Sequence, residues 1–279
     1  MGTVLPDAVA SVVSAVRDTA PLVHCVTNVV VTNFTANMLL AAGAAPAMVT
    51  DPEEAPVMAG AAGSLLVNLG TVDADQAAGM RAAVDGATAA GVPWVLDPVA
   101  IGVLPLRTRI ATELLARGPA VVRGNASEIQ ALAGGTGGRG VDSLDTPDDV
   151  RGTALDLARS SGAVIAVSGA SDLITDGTRV VRVDAGTPLL TRVTGVGCSL
   201  GALVAACAAV TPDRLLAATA ATAWLCAAAD RTTSPAPGSF AVELVDRIFD
   251  IDPEAVGYGA DLVDQSPAEG GPEPTRAGS

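Results

Sequence analysis

Short apolar runs of strand length alternate with helical patterns along most of the chain, and this alternation limits the possible folds more than any other feature. The runs lie at 22–26, 45–49, 64–69, 92–96, 120–122 and 163–167. The helical patterns lie at 4–18, 29–41, 73–90, 105–117, 125–133 and 147–161. Strands that are apolar on both faces need helices on both sides of their sheet, and helical crossovers connect parallel strands. The alternation therefore predicts an α/β fold with a central, mostly parallel sheet and helices on both faces.

The last third of the chain follows a different pattern. Asp176-Gly177 lies between two β-forming runs at 173–175 and 179–183, which predicts a small hairpin late in the chain. Ala-rich helical patterns follow at 198–209, 213–230 and 239–249. From residue 252 onward the chain is rich in Pro, Gly and acidic residues. We therefore expect one domain at 1–251 and a disordered tail at 252–279.

The charged residues exclude several classes of protein. The formal net charge is −14, and all 16 basic residues are Arg. Binding to a phosphate backbone needs a basic patch, so no nucleic-acid partner is expected. The absence of Lys excludes a Schiff base and the lysine of a P-loop. The single histidine, His24, lies on a strand-like run, where a structural role is the more common one.

The cysteines and the apolar segments bear on the compartment. The four cysteines form no CxxC pair, which predicts free thiols in a reducing environment. No apolar run reaches membrane-spanning length without small polar interruptions, and the N-terminus lacks the basic region of a signal peptide. We expect a cytoplasmic protein with no membrane partner.

The segment TGVGC at 194–198 is the strongest local signal. It follows a run at 189–193 that we expect to be extended, and it opens an Ala-rich helix. Glycine frees the backbone to approach a ligand, and the first N–H groups of a helix are unpaired at its positive end. Gly195, Gly197 and Cys198 therefore form a candidate anion site for a transferring phosphoryl group. A tight strand-to-helix turn explains the same spacing equally well.

A second glycine pattern is a weaker candidate. Gly135, Gly137 and Gly140 match G-x-G-x-x-G, but a helix precedes them and none follows. A dinucleotide-binding turn requires a strand before it and a helix after it. We interpret this segment as a flexible loop.

Polar residues at the ends of the later runs are further candidates. Asp97 and Ser168 follow apolar runs, at the sheet edge where open parallel sheets bind ligands, although a turn cap is a common alternative. Arg123 could hold a nucleotide phosphate, and Glu128 could bind Mg²⁺. Asn125 and Glu128 also have the spacing of a capping box, which would explain both without a ligand.

Two candidates belong to the first half of the chain. Met48 lies near the end of the run at 45–49, where a core role is more usual for methionine. Asn28 follows the run at 22–26 and could cap a helix or bind a ligand.

Five segments, taken in order, resemble the hydroxyethylthiazole kinase family of the ribokinase-like superfamily. They are PLVHCVTN at 21–28, GAAPAM at 43–48, LDPV at 96–99, GNASE at 124–128 and TGVGC at 194–198. The resemblance covers about residues 5–250, and Val196 stands where the family often has Thr or Ala. It implies a ribokinase-like fold and phosphorylation of the hydroxyl of 4-methyl-5-(2-hydroxyethyl)thiazole in thiamine salvage, with ATP as co-substrate and Mg²⁺ as cofactor. It also implies a homotrimer with active sites at the subunit interfaces.

The resemblance implies a role for each candidate residue. The residues expected at the thiazole are Met48, Gly195 and Asn28. The residues expected at ATP are Arg123, Ser168, Asn125 and Thr194. Asp97 and Glu128 would organise Mg²⁺. Cys198, beside Gly195 and Gly197, would take the catalytic position at which most related kinases carry an aspartate base.

Three other functions fit parts of the same pattern. One is a related vitamin-precursor kinase that acts on a hydroxymethylpyrimidine or on pyridoxal. Another is a non-catalytic regulator that binds a thiazole or a nucleotide, which the two carboxylates Asp97 and Glu128 disfavour. A third is an ATP-dependent repair dehydratase, which Cys198 in place of Asp disfavours.

Overall fold

The computed structural model of the protein describes residues 5–134 and 146–266. Nine strands are found in this part of the chain: β1 (Leu22–Val26), β2 (Ala45–Ala47), β3 (Ser64–Asn68), β4 (Trp94–Asp97), β5 (Val121–Asn125), β6 (Val164–Ser168), β7 (Asp172–Thr175), β8 (Val180–Asp184) and β9 (Asp261–Asp264). The helices there are α1 (Leu5–Thr19), α2 (Thr32–Ala41), α3 (Ala55–Ala61), α4 (Ala74–Ala90), α5 (Pro105–Leu115), α6 (Ala126–Leu132), α7 (Arg151–Ser161), α8 (Val196–Val210), α9 (Arg214–Asp230), α10 (Pro237–Asp250) and α11 (Pro253–Gly259). The glycine pattern at 135–140 lies outside the described residues.

All the strands belong to one sheet, in the order β2-β1-β3-β4-β5-β6-β7-β8-β9. The six strands from β2 to β6 in this order are parallel, and β7, β8 and β9 are antiparallel. The predicted mostly parallel sheet with a late hairpin is therefore confirmed. Register places Asn68 opposite Asp97 and Asn125 opposite Ser168. The carboxyl ends of four neighbouring strands thus meet at one edge.

Helices cover both faces of the sheet, as the apolar runs predict. One face packs against α1, α2 and α8–α11, and the other packs against α3–α7. The two helices nearest the centre of the first face, α8 and α9, are buried along nearly their whole length. Their alanines permit this because a small side chain lets backbones approach closely. Trp224 is buried on the first face and Trp94 on the second. These large side chains fill space that the alanines leave in the two core layers.

The predicted tail is wrong over residues 252–266, because the folded domain continues to Ser266. The Asp252 side chain accepts a hydrogen bond from Glu254 N at 2.8 Å, and Pro253 occupies the first helical position of α11. Asp-Pro at a helix start is a capping signal, which the acidic and Pro-rich composition obscured. Val256 of α11 is fully buried, and β9 pairs with β8. Residues 267–279 lie outside the described part of the chain.

The run expected to be extended at 189–193 is also different in the structure. Its first four residues belong to a 3₁₀ helix at Pro188–Arg192, and Val193 alone is extended. Pro188 supplies a backbone φ suited to the first helical position, and the Thr187 side chain accepts a hydrogen bond from Leu189 N. The turn before α8 therefore follows a helical segment and not a strand. None of the described helices is long and apolar enough to cross a membrane.

Candidate active site

Four polar residues at or near the ends of successive parallel strands face α8. Side chains alternate along a strand, so a residue two places after a core residue faces the same layer. The core residues of the α8 layer at these strands are Leu66, Val95, Val121 and Ala166. Two places after each of them stand Asn68, Asp97, Arg123 and Ser168. The strand alternation therefore brings an amide, a carboxylate, a guanidinium and a hydroxyl together beneath the first turn of α8.

A chain of hydrogen bonds joins three of the strand ends to α8. Asn28 Nδ2 donates to Asn68 Oδ1 at 2.9 Å and to Cys198 Sγ at 3.3 Å. Asn68 Nδ2 donates to Asp97 Oδ2 at 2.8 Å. Asn28, Asn68 and Asp97 are all buried. The network links the residue expected at the thiazole to the residue expected at the metal.

Asp97 is a fully buried carboxylate, and only one of its two oxygens accepts a hydrogen bond in the described structure. Burial raises its pKa to about 7, and the nearby charge of Glu128 acts in the same direction. Arg123 and the Asn68 amide act in the opposite direction. Asp97 Oδ1 has no hydrogen-bond partner among the described residues. A buried oxygen without a hydrogen-bond partner costs free energy. An oxygen of this kind is expected where a ligand, a cation or a proton provides the missing partner.

Arg123 connects Asp97 to the next strand. Its Nε and Nη2 donate to Ser168 Oγ at 3.2 and 3.0 Å, and its Nη1 lies 3.7 Å from Asp97 Oδ2. The side chain also lies against the start of α8, where a Cβ on Gly197 would be 2.9 Å from Arg123 Nη1. Glycine at 197 therefore gives the guanidinium its place beside the helix N-terminus.

Glu128 has the structural role that its spacing predicts. Its Oε2 accepts from Asn125 N at 2.8 Å, and Asn125 Oδ1 accepts from Glu128 N at 2.9 Å, which completes the capping box. Its Oε1 accepts from Ala100 N at 2.8 Å. Ala100 has φ +58°, in the left-handed region that is unfavourable for alanine. Glu128 therefore holds the strained turn after Asp97 in place, and each of its oxygens keeps lone-pair capacity for a further ligand.

The turn into α8 has the geometry of an anion site. Gly195 has φ +94°, and a Cβ there would be 2.9 Å from Val31 Cγ1, so glycine is required. The first hydrogen bond of the helix runs from Ser199 N to Gly195 O at 2.8 Å. The amides of residues 196–198 therefore precede the intrahelical bonding and are available at the positive end of the helix.

The Cys198 thiol is protonated at neutral pH. Burial raises its pKa to about 11, and the Asp97 charge contributes in the same direction. The amides of Asn68 and Asn28 and the charge of Arg123 lower it only in part. This environment therefore does not favour a thiolate base at the position where most related kinases carry an aspartate.

A cavity of about 960 Å³ opens beside these residues. Arg123, Asn125, Ser168 and Gly197 line it, together with an apolar wall. That wall includes Pro188, Leu190, Val196, Leu200 and Leu225. Three of the four residues expected at ATP thus share one cavity. The fourth, Thr194, is exposed in the turn before α8 and does not line it.

Met48 follows the edge strand β2 and does not line the cavity. It is partly buried and packs against the α8 layer. His24 Nε2 lies 2.7 Å from Val49 O, so a buried histidine anchors the loop that begins at Met48. This contact gives His24 the structural role that its position predicts.

Two buried polar residues belong to the site although the sequence patterns did not select them. Asn68 lies inside the apolar run 64–69, which concealed it, although the strand-end rule that selects Asp97 also selects Asn68. Asp172 lines the cavity; its Oδ1 accepts from Gly169 N at 2.9 Å, and burial raises its pKa to about 6. It begins the hairpin strand β7, where no strand-end pattern marks it.

The residues of the site are suited to a magnesium ion that is already bound to a nucleotide. They are less suited to a metal ion that the protein alone would hold. Within 5–134 and 146–266, no cluster of three or more His, Cys, Asp or Glu side chains is placed to hold a metal. Mg²⁺ bound with phosphates needs only one or two carboxylates. Asp97 Oδ1 lacks a partner, and Glu128 keeps free lone pairs near it. This donor set suits Mg²⁺ at the phosphate end of the cavity.

The contact between Gly197 and Arg123 gives a first prediction. We expect Gly197→Ala to raise KM for the nucleotide about tenfold, because a displacement of Arg123 by less than about 1 Å is enough to do so. Steady-state kinetics with varied nucleotide measures it. Gly152→Ala is the matched control, since Gly152 is also the second residue of a helix and a Cβ there meets nothing within 4 Å. Equal changes in the two variants would contradict the role of Gly197.

Comparison with known proteins identifies close relatives. The profile of the Hydroxyethylthiazole kinase family matches residues 13–254. A hydroxyethylthiazole kinase from Cronobacter sakazakii is 55 % identical over 243 residues, which cover 86 % of this chain and 91 % of that protein. One from Clavibacter sepedonicus is 54 % identical over 249 residues, which cover 88 % of this chain and 90 % of that protein.

Solved structures agree with the sequence relatives. A hydroxyethylthiazole kinase protein from Pyrococcus horikoshii superimposes with a TM-score of 0.85 at 38 % identity, covering 92 % of this chain and 98 % of that chain. The pyridoxal kinase from Staphylococcus aureus superimposes with a TM-score of 0.58 at 15 % identity, covering 88 % of this chain and 98 % of that chain. The second likeness concerns the fold alone.

Proposed function

This chain belongs to the hydroxyethylthiazole kinase family and has a ribokinase-like fold, and we propose that it transfers the γ-phosphoryl group of ATP to the hydroxyl of 4-methyl-5-(2-hydroxyethyl)thiazole at the edge of the sheet beneath α8. The reaction belongs to thiamine salvage. The observation that carries the assignment of the site is the position of Arg123, which lines the cavity and also lies 3.7 Å from the buried Asp97.

The cavity suits the nucleotide. Its apolar wall matches a base, and Arg123, Ser168, Asn125 and the start of α8 match phosphates, since guanidinium and helix N-terminal groups both bind them. In this arrangement the γ-phosphoryl group lies between Arg123 and the amides of residues 196–198. These groups offset the negative charge that spreads over the equatorial oxygens during transfer.

The other side of the site suits the acceptor. Met48, Gly195 and Asn28 would contact the thiazole, and the hydroxyl would point toward Cys198. Asp97 and, through water, Glu128 would hold Mg²⁺. When bound, Mg²⁺ supplies charge neutralisation on the phosphates. The residues of this chain supply orientation and electrostatic stabilisation, which together account for most of the barrier lowering in phosphoryl transfer.

A second prediction concerns Cys198, which we expect to position the substrate hydroxyl more than to accept its proton. We expect Cys198→Ala to lower kcat about tenfold without abolishing it, because a loose transition state needs no strong base. We expect Cys198→Asp to retain activity, because Asn28 Nδ2 and the helix N-terminus can stabilise a carboxylate there. Coupled ADP assays measure both, with Cys207→Ala as control because Cys207 lies in the same helix and is fully buried. Complete loss in a folded Asp variant would contradict this account.

The assembly is part of the proposal. Val29 and Val30 directly follow Asn28 and are 69 % and 67 % exposed. An apolar pair beside the site is suited to cover by a neighbouring subunit. The number of subunits follows from the family resemblance, and we propose a homotrimer with active sites at its interfaces. Light scattering during size-exclusion chromatography tests the number of subunits. The four free cysteines fit a cytoplasmic location.

Turnover of several alcohols with ATP tests the proposed function. We expect ADP formation with the hydroxyethylthiazole and at least about 100-fold lower kcat/KM with a hydroxymethylpyrimidine or pyridoxal, since unmatched polar groups are strongly discriminated. A preference for either alternative would reassign the substrate. Binding of the thiazole without ADP formation would indicate a regulator.

A further inference from the structure

Asn68 is the buried residue that connects the two halves of the site. It ends β3, between β1 and β4, and has no exposed surface. Both ends of its amide are used. Asn68 Oδ1 accepts from Asn28 Nδ2 at 2.9 Å and from Gly70 N at 3.0 Å, and Asn68 Nδ2 donates to Asp97 Oδ2 at 2.8 Å.

These contacts fix the direction of the amide. The two N–H donors on one side of Asn68 need an acceptor, so the carbonyl oxygen must face Asn28 and Gly70. The NH₂ group must then face Asp97, because an ionised carboxylate has no hydrogen to donate and can only accept. A reversed amide would leave three polar groups unsatisfied in a buried place, which makes the observed orientation the stable one.

Both side chains that Asn68 bonds through its amide have a further polar contact at the site. Asn28 Nδ2 also reaches Cys198 Sγ at 3.3 Å. Asp97 uses Oδ2 for Asn68 and keeps Oδ1 without a partner among the described residues. Asp97 Oδ2 also lies 3.7 Å from Arg123 Nη1. Asn68 thus determines which hydrogen of Asn28 faces Cys198 and which oxygen of Asp97 faces Arg123.

We propose that Asn68 is a positioning residue for phosphoryl transfer, which sets the Asn28 amide toward Cys198 on the acceptor side and holds the Asp97 carboxylate beside Arg123 on the phosphate side. The proposal rests on the proposed function. A residue needed only for folding would affect stability, whereas a positioning residue affects thiazole binding through its acceptor and turnover through its donor.

Two substitutions separate the acceptor from the donor. Asn68→Asp keeps the acceptor toward Asn28 and loses the donor to Asp97. We expect it to bind hydroxyethylthiazole within about threefold of the wild type and to lose about 100-fold in kcat, the effect of a small misplacement at the reacting centre. Asn68→Leu loses both, and we expect thiazole binding at least about tenfold weaker as well. Calorimetry with hydroxyethylthiazole, without nucleotide or metal, measures binding separately from turnover.

Asn37→Asp is the control, because Asn37 is exposed on α2 and contacts only the Asn33 side chain in the described structure. If Asn68→Asp does not fold, the double variant Asn68→Asp/Asp97→Asn restores a donor opposite an acceptor, and we expect it to bind the thiazole like the wild type. Wild-type kcat in Asn68→Asp, or equally weakened thiazole binding in the Asp, Leu and double variants, would overturn the proposal. An inactive wild type would instead overturn the proposed function.

Discussion

Replacing Asp97 with Asn should reduce kcat by about 10³-fold or more while leaving the protein folded. The amide oxygen introduced by this substitution can still accept from Asn68 Nδ2, so the local hydrogen bonding persists. What disappears is the negative charge of the carboxylate, which lies 3.7 Å from Arg123 and has one oxygen without a partner among the described residues. Coupled ADP assays measure the loss, and circular dichroism checks the fold.

The same substitution should make the protein more stable at alkaline pH. The pKa of Asp97 is raised from 3.8 to about 7, mainly by burial, so the folded state holds this proton more tightly than the unfolded chain. The stability that Asp97 contributes is complete below its unfolded pKa of 3.8 and is lost as pH rises through about 7. The rise corresponds to about 4 kcal/mol at most. Chemical denaturation at about pH 5 and about pH 8, on either side of the folded pKa, should therefore show a smaller pH dependence in Asp97→Asn than in the wild type.

Asp85→Asn is the matched control for both measurements. Asp85 is an exposed carboxylate on α4 that pairs with Arg117. Its loss should change neither kcat nor the pH dependence of stability beyond about 1 kcal/mol, the usual limit for a surface ion pair. A folded Asp97→Asn variant with kcat within about tenfold of the wild type would contradict the role of Asp97.

Replacing Arg123 with Ala should lower kcat/KM for ATP by about 10³-fold, because a cationic side chain on a transferring phosphoryl group has effects of this size. The guanidinium reaches Ser168 Oγ with two nitrogens and Asp97 with the third. Arg123→Lys keeps the charge but loses the planar fork, and we expect it to recover no more than about tenfold of that loss. Steady-state kinetics with varied ATP measures both variants.

Arg117→Ala is the control for Arg123, since Arg117 forms ion pairs on the surface with Asp85 and Glu113. Its kinetics should match the wild type. Full activity in Arg123→Lys would show that charge alone suffices and that the planar fork of the guanidinium is not needed.

The sheet could be predicted because its strands are apolar on both faces, and few folds bury both faces of a strand. The same logic placed Asp97 and Ser168 at one edge, where the structure has them. Glu128 remained open between a cap and a metal ligand on spacing alone. Its reciprocal hydrogen bonds with Asn125 establish the capping role.

What the sequence did not reveal depends on contacts between distant segments. Asn68 acquires its role only when β1 and β4 flank β3. The helix α11 is short, and its stability comes from packing against α1, a contact between distant segments that the local sequence does not predict. The cavity wall is assembled from the 3₁₀ segment, α8 and α9, so its shape could not be read from any one segment.

The most direct test of the central claim is a combined measurement of ADP and phosphorylated thiazole in one reaction. With ATP, Mg²⁺ and hydroxyethylthiazole, we expect the two products to form in equal amounts, and neither to form when the thiazole or Mg²⁺ is omitted. ADP formation that does not depend on the thiazole, or thiazole binding without a phosphorylated product, would contradict the account.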